Sequence, residues 1–481
     1  MNKPLVVRLL AVIVLIEAAC MLPSVMVSLI YRDGDTLALL IPMLLMIAVS
    51  LPLYLLIKPA ERNMRAKEGF FVAGFSWVVL SLLGAIPMSL SGMIPNYLDA
   101  VFESVSGFTT TGATVIDHFE GLPHGIMFWR AFTHWIGGMG VLVLTLALLP
   151  KLTDRTGHLM RAESPGPSLS KIVPKVHDTA KILYAIYLGL TVAEVLVLVV
   201  AGLTPYDALL HTFSNAGTGG FSCYGESIAA FNKPAVEWII AIFMLLYGVN
   251  FTIYYQLLTK KWRDALRSGE LRLYFSIVLV SVVGIAVMIL PQVGSISTAV
   301  RHSAFETASF ISTTGFGLAD FNSWPQGAQT ILVLLMLTGA CAGSTAGGLK
   351  IIRISVLAKA CRREIVRTVQ PRKVQVIRSE GKPLDEVQVS QICVFGIVYA
   401  ALLFLGALLI SLENRYDFTT NFTSALSSIS NIGPVLSRFR ISSVSGYGPF
   451  AKIIMCVLML CGRLELFPIL VLFHPFIWKK R

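Results

Sequence analysis

Apolar residues gather into long runs along this chain, and the length of those runs is the first clue to its architecture. A helix crossing a bilayer needs about 20 predominantly apolar residues. Ten stretches qualify, at 8–31, 37–57, 70–90, 125–149, 182–203, 235–258, 273–291, 328–357, 390–412 and 450–477. Four shorter amphipathic segments lie between them, at 99–108, 205–213, 300–311 and 419–429. They are too short to span, so each is predicted to re-enter from one face of the membrane and return. The expected fold is an all-α polytopic membrane protein.

Every short segment ends in a break of small or hydroxyl residues. The breaks are Thr110, Thr111, Gly112 and Ala113; Asn215, Ala216, Gly217 and Thr218; Thr313, Thr314, Gly315 and Phe316; and Asn431, Ile432, Gly433 and Pro434. Their glycines recur about every hundred residues, the mark of repeated architecture. Glu103 and Glu306 each stand nine residues before their glycine, which relates the first and third repeats. Non-helical backbone at membrane depth survives only when buried in protein or lining a water-filled path. Four such breaks meeting on one axis would let carbonyls replace the water around a cation. Glycine permits the left-handed geometry this needs. The short helices would aim their partly negative C-terminal ends inward, which favours cations. For any single break the alternative is a glycine used for close helix packing.

Composition agrees with a membrane location: of 481 residues, 55% are hydrophobic and 14% charged. Most Lys and Arg fall in alternate loops, near 58–67, 151–181, 260–272 and 350–382 and at both ends. The retention of positive charge on the cytoplasmic side puts both termini there. It also accounts for the net charge of +12 through anionic lipid, so no nucleic-acid partner is expected. The first apolar run is too long for a secretion signal and lacks a small-residue cleavage pattern. The seven cysteines show neither metal-ligand spacing nor a disulfide framework. The histidines form no catalytic pattern, and no nucleophile, base or metal constellation supports an enzyme.

The motifs SGFTTTGATV (106–115), FSNAGTGGFS (213–222), ISTTGFG (311–317), SNIGP (430–434) and GACAGSTAGGLK (339–350) resemble those of the Trk/Ktr/HKT superfamily of potassium transport proteins, nearest the bacterial TrkH/TrkG branch. The resemblance covers almost the whole chain. It implies two N-terminal spans (1–68) followed by four span, pore loop, span units (69–155, 156–268, 269–385 and 386–481) around a pseudo-fourfold pore. It also implies a bacterial inner-membrane location, a homodimer and a TrkA-like cytoplasmic nucleotide-binding ring. The four breaks become the filter that binds potassium through its backbone. With one glycine shared by all four copies, moderate selectivity over sodium is expected.

The eighth apolar run carries Gly339, Gly343, Gly347 and Gly348 around Ser344 and Thr345, ending at Lys350. Glycines in a helix cost about 1 kcal/mol each, so a break is predicted, with small-residue helix packing as the alternative. A P-loop is excluded because Leu349 separates Gly348 from Lys350 and no strand precedes it, so no nucleotide is expected on this chain. By resemblance the segment is an intramembrane loop that blocks the pore. Arg463, inside the last run, must face a partner or water. By resemblance it projects into the pore below the filter; a salt bridge to another span is the alternative. The basic loops at 151–181 and 350–382 are candidates for docking the regulatory ring or lipid headgroups. Glu17, Glu194 and Glu237, in or beside spans, leave open a proton- or sodium-coupled symporter.

Overall fold

The structure, a computed structural model, describes residues 2–59, 66–140, 176–437, 443–472 and 475. Helices dominate. In chain order they are α1 (Lys3–Cys20), α2 (Leu22–Tyr31), α3 (Thr36–Leu56), α4 (Ala66–Leu90), α5 (Tyr97–Phe108), α6 (His124–Gly138), α7 (Val176–Val200), α8 (Pro205–Ala216), α9 (Pro234–Tyr247), α10 (Phe251–Leu258), α11 (Trp262–Arg267), α12 (Gly269–Val293), α13 (Ile296–Ile311), α14 (Gln326–Thr338), α15 (Ile351–Val369), α16 (Glu386–Ser411), α17 (Phe418–Ser430), α18 (Pro449–Arg463) and α19 (Phe467–Leu472). A two-rung antiparallel ladder pairs Arg378 with Pro383 and Ser379 with Lys382.

Six described helices are long and apolar enough to cross a membrane: Lys3–Tyr31, Thr36–Leu56, Lys67–Leu90, Asp178–Val200, Gly269–Val293 and Glu386–Ser411. Their outward faces carry exposed Leu, Val, Ile and Phe, as on α3, α12 and α16, the surface a hydrocarbon solvent requires.

The remaining expected spans are broken. The sixth bends by 91° between α9 and α10. The eighth stops at Thr338 and restarts as the amphipathic α15 at Ile351, so the run drawn as 328–357 is not one helix. The tenth breaks at Leu464 to Leu466, where Glu465 and Leu466 adopt positive φ. In the fourth, α6 ends at Gly138, and the expected continuation beyond residue 140 lies outside the described residues, as does most of the 151–181 loop. The eighth run breaks where its glycine cluster predicts; the sixth and tenth break beside single glycines, Gly248 and Gly462, in stretches whose apolar composition reads as continuous.

The short helices α5, α8, α13 and α17 sit in the middle of the molecule, each packed on the long helix before it: α4, α7, α12 and α16. The helix after each one packs both on it and on the next short helix. Thus α6 joins α5 to α8, α9 joins α8 to α13, α14 joins α13 to α17, and α18 joins α17 back to α5.

Candidate functional site

All four short helices end in the same way. Thr110 donates its N–H to Gly107 at 3.0 Å and Thr111 to Ser106 at 2.8 Å; Thr218 donates to Asn215 and Gly219 to Ser214, both at 2.8 Å. Thr313 donates to Phe310 at 3.3 Å and Thr314 to Ser309 at 3.0 Å, while Asn431 donates to Ser428 at 3.3 Å and Ile432 to Ser427 at 3.0 Å. This pair of bonds is the Schellman closure of a helix, which needs a left-handed residue just past the end. Here that residue is Thr110, Thr218, Thr313 or Asn431, with φ of 56°, 56°, 58° and 56°. Threonine is branched at Cβ, and a branched residue at positive φ is an outlier held only where its surroundings dictate it.

Two residues later each turn has a glycine at positive φ: Gly112 (82°), Gly220 (75°), Gly315 (81°) and Gly433 (96°). These four glycines form a closed ring of contacts. A methyl on Gly112 would overlap the Gly219 carbonyl; on Gly220, that of Thr314; on Gly315, that of Ile432; and on Gly433, that of Thr111. Each unit thus presses its glycine against a carbonyl of the next.

The second turn corrects the expected register. Asn215 and Ala216 belong to the last turn of α8, and Gly217 has the right-handed φ of a helix cap, −70°. The left-handed pair falls at Thr218 and Gly220, so this segment of the ring is Thr218, Gly219, Gly220 and Phe221. Gly217 serves packing instead, because a methyl there would strike the His134 backbone of α6. The signal that separates the two glycines is a serine. Ser106, Ser214, Ser309 and Ser427 stand six residues before Gly112, Gly220, Gly315 and Gly433, and the carbonyls of these serines accept the second closing bond in all four turns.

A cavity of about 840 Å³ opens on the side of the ring where the chain leaves the turns. It is lined by Gly112, Gly220, Gly315 and Gly433 and, farther out, by Asp117, Glu226 and Asp320. Arg130 also lines it, but its guanidinium is buried against Glu103 at 2.6 Å and over the Phe221 ring at 3.5 Å. Carboxylates around a concave, low-dielectric mouth raise the local cation concentration. The Cys223 thiol nearby is pushed up to about 12 by burial and by the Asp207 carboxylate, so it adds no charge there at neutral pH.

On the opposite side, residues 339–350 form the expected break, a compact loop folded on itself. Gly339 packs on Gly347 and Gly348, and Ile351 donates to the Ala340 carbonyl at 3.1 Å. Cys341 donates to Gly248 at 3.1 Å and accepts the Ser344 hydroxyl at 2.6 Å; Gly343 accepts from Phe251 at 3.0 Å; and Ala342 donates to the buried Glu270 carboxylate at 2.7 Å. The Thr345 hydroxyl faces the Tyr247 carbonyl at 3.4 Å, and Lys350, buried and at positive φ, donates to Ala346 in its own loop. The loop touches the ring directly: the Gly347 N–H donates to the Thr313 hydroxyl at 2.7 Å, and Gly347 packs against Ser430 and Asn431.

Arg463 ties this loop to the first unit. It donates to the Thr345 carbonyl at 2.7 Å and to the carbonyls of Gly137 and Gly138 at the end of α6. The last carbonyls of a helix have no intrahelical partner and carry its negative dipole end, so α6 supplies both hydrogen bonds and field for a charge at membrane depth. Glu465 turns away to pair with Arg353. Glu270 escaped the sequence reading, since a carboxylate three residues ahead of the predicted span at 273–291 looks like a boundary charge.

A family model described as TrkH, cation transport protein, matches residues 38–480. The chain belongs to the TrkH family of cation transport proteins. It is 36% identical to the Trk system potassium uptake protein TrkH of Escherichia coli K12 over 99% of both chains. It is 34% identical to that of Halomonas elongata over the full length of each. Its fold superimposes on the crystal structure of the potassium transporter TrkH from Vibrio parahaemolyticus with a TM-score of 0.89 at 30% identity, covering all of both chains. The family is one of transporters and not of enzymes.

Proposed function

We propose that this chain takes up potassium across the bacterial inner membrane through a gated pore running along the glycine ring. The observation that carries the reading is the ring itself: four identical helix ends, each placing its left-handed glycine against a carbonyl of the next. Peptide oxygens gathered this way replace a cation's hydration shell. In this reading the chain has two N-terminal spans and four span, pore loop, span units about a pseudo-fourfold axis. The filter is Thr110 to Ala113, Thr218 to Phe221, Thr313 to Phe316 and Asn431 to Pro434, and its mouth is the acidic cavity. The 339–350 loop is the gate, and Arg463 both locks it and repels cations while it is shut. The names of its relatives support potassium as the ion.

A TrkA-like nucleotide-binding ring docks on the cytoplasmic side, where α15 and the turn after it expose Arg362, Arg367, Arg372 and Lys373. The chain pairs as a homodimer, lipid covers the outer faces of its spans, and both termini are cytoplasmic. A second reading, a proton-coupled symporter, draws on one observation. Glu194 is fully buried in α7 and accepts the Asn215 amide at 2.6 Å beside the second turn.

Reconstitution into liposomes with a potassium gradient and a clamped pH gradient separates the two. A gated pore lets rubidium tracer run only down its electrochemical gradient, at a rate independent of the pH gradient. Accumulation against the potassium gradient when protons flow inward would overturn the pore reading in favour of the symporter.

A further inference from the structure

Nine residues before each ring glycine, every pore helix carries a buried polar side chain: Glu103, His211, Glu306 and Ser424. In three units this residue reaches the strand leaving its own turn. Glu103 accepts the Thr114 hydroxyl and the Val115 N–H, both at 2.9 Å. The His211 Nε2 pairs with the Ser222 hydroxyl at 3.0 Å. A single oxygen of Glu306 accepts the N–H groups of Leu318 at 2.9 Å and Ala319 at 3.1 Å. In the fourth unit the work is shared by hydroxyls. Ser424 bonds the Tyr447 hydroxyl at 3.0 Å, and the adjacent Thr423 donates to the Leu436 carbonyl at 3.0 Å.

We propose that these residues are latches holding the exit strands of the four turns, and that Glu306 is thereby a positioning residue setting the ring's preference among monovalent cations. This rests on the reading of the ring as the ion path. Leu318 and Ala319 are half-buried at the cavity wall, and in the third unit their N–H groups find their acceptor in the buried Glu306. Between Gly315 and the latch, the Phe316 carbonyl accepts the Ser309 hydroxyl at 2.7 Å, so the strand is pinned at both ends of a three-residue stretch. Ions differing in radius by a fraction of an ångström are told apart by how firmly the spacing and number of carbonyls are held. Without the latch the strand relaxes, and the ring still passes cations but no longer sorts them.

The two carboxylate latches differ in a way that makes the idea testable. Glu103 also balances the buried charge of Arg130 at 2.6 Å, so its neutral variant strands a guanidinium, a change expected to disturb folding. Among the described residues Glu306 has no cationic partner, and its second oxygen has no hydrogen-bond partner. Glutamine at 306 keeps the accepting oxygen and alanine removes it.

The test is rubidium uptake into liposomes holding the full chain, with potassium and sodium as competitors, on the wild type, E306Q, E306A and G315A, each checked for folding by its melting in detergent. Expected for E306A is a fall of about tenfold in the potassium over sodium preference with flux retained, from the loss of the one acceptor shared by the Leu318 and Ala319 N–H groups. E306Q should stay within about twofold of the wild type, since it keeps that acceptor. If E306A sorts ions normally while G315A alters uptake, the latch is wrong and the ring reading stands. If neither changes uptake or preference, both are wrong. Should E306A fail to fold, E306Q decides: a retained preference supports the latch, and a tenfold loss means the charge mattered and overturns it.

Discussion

Gly217 and Gly220 are three residues apart and do opposite jobs. Gly217 sits at a helix end with ordinary φ and yields its side-chain space to the His134 backbone, whereas Gly220 is left-handed and touches the third unit. G217A should therefore act on stability, costing about 1–3 kcal/mol through overpacking and lowering the melting temperature in detergent, with ion preference unchanged. G220A meets both a positive-φ penalty of about 1–2 kcal/mol and a carbonyl of the neighbouring turn. It should abolish or unselect rubidium uptake, read in liposomes against the same melting assay. Exchange of these two phenotypes would mean that the ring register is wrong. Once the four turns are known, a serine six residues ahead marks each ring glycine; with Gly217, Gly219 and Gly220 all in one motif, spacing between glycines alone was not enough.

At the scale of an element, the break in the eighth run was visible from its four glycines, but its destination was not. The loop is held by groups from four places: Glu270 on α12, the bend near Gly248 and Asn250, Thr313 of the ring and Arg463 on α18. Only Arg463 among these also reaches across to the first unit. R463Q should loosen the loop and remove a cation barrier together, raising partner-free rubidium flux by about tenfold or more, as the about 1.5–3 kcal/mol contributed by a charged hydrogen bond implies. Unchanged flux and unchanged response to the regulatory ring would remove Arg463 from the gate. The interruption of α9 and α10 follows the same logic, since Gly248 and Val249 spend their polar groups on the loop and on a turn.

For the whole molecule, pairing of neighbours around the ring does not stop at the glycines. Lys452 of the fourth unit pairs with Asp99 of the first at 2.6 Å, and Glu237 of the second pairs with Arg301 of the third at 2.9 Å. These two ion pairs join segments that also meet at the glycine ring. The helix α15 starts where the 339–350 loop ends, which in the proposed reading makes it the link between the gate and a cytoplasmic partner. Replacing Arg362, Arg367, Arg372 and Lys373 by Glu should weaken association with the regulatory ring by at least about tenfold at low salt, an effect that shrinks as salt screens it. Basal rubidium uptake should stay intact. Binding that survives in size-exclusion or surface-resonance measurements would move the docking surface elsewhere.

Apolar runs of membrane length and four small-residue breaks by themselves determined a helical protein with several membrane-length spans and short helices between them. These are local quantities: each depends on what lipid or water does to a stretch of about twenty residues. Tertiary structure alone decided which glycine of the second motif closes the ring, that the sixth and tenth runs bend or break, and that His211 reaches the segment leaving its own turn as Glu103 and Glu306 do. Those outcomes depend on which carbonyl of one unit lies against which Cα of another. Contacts between residues a hundred or more positions apart leave no trace in the hydropathy of either segment.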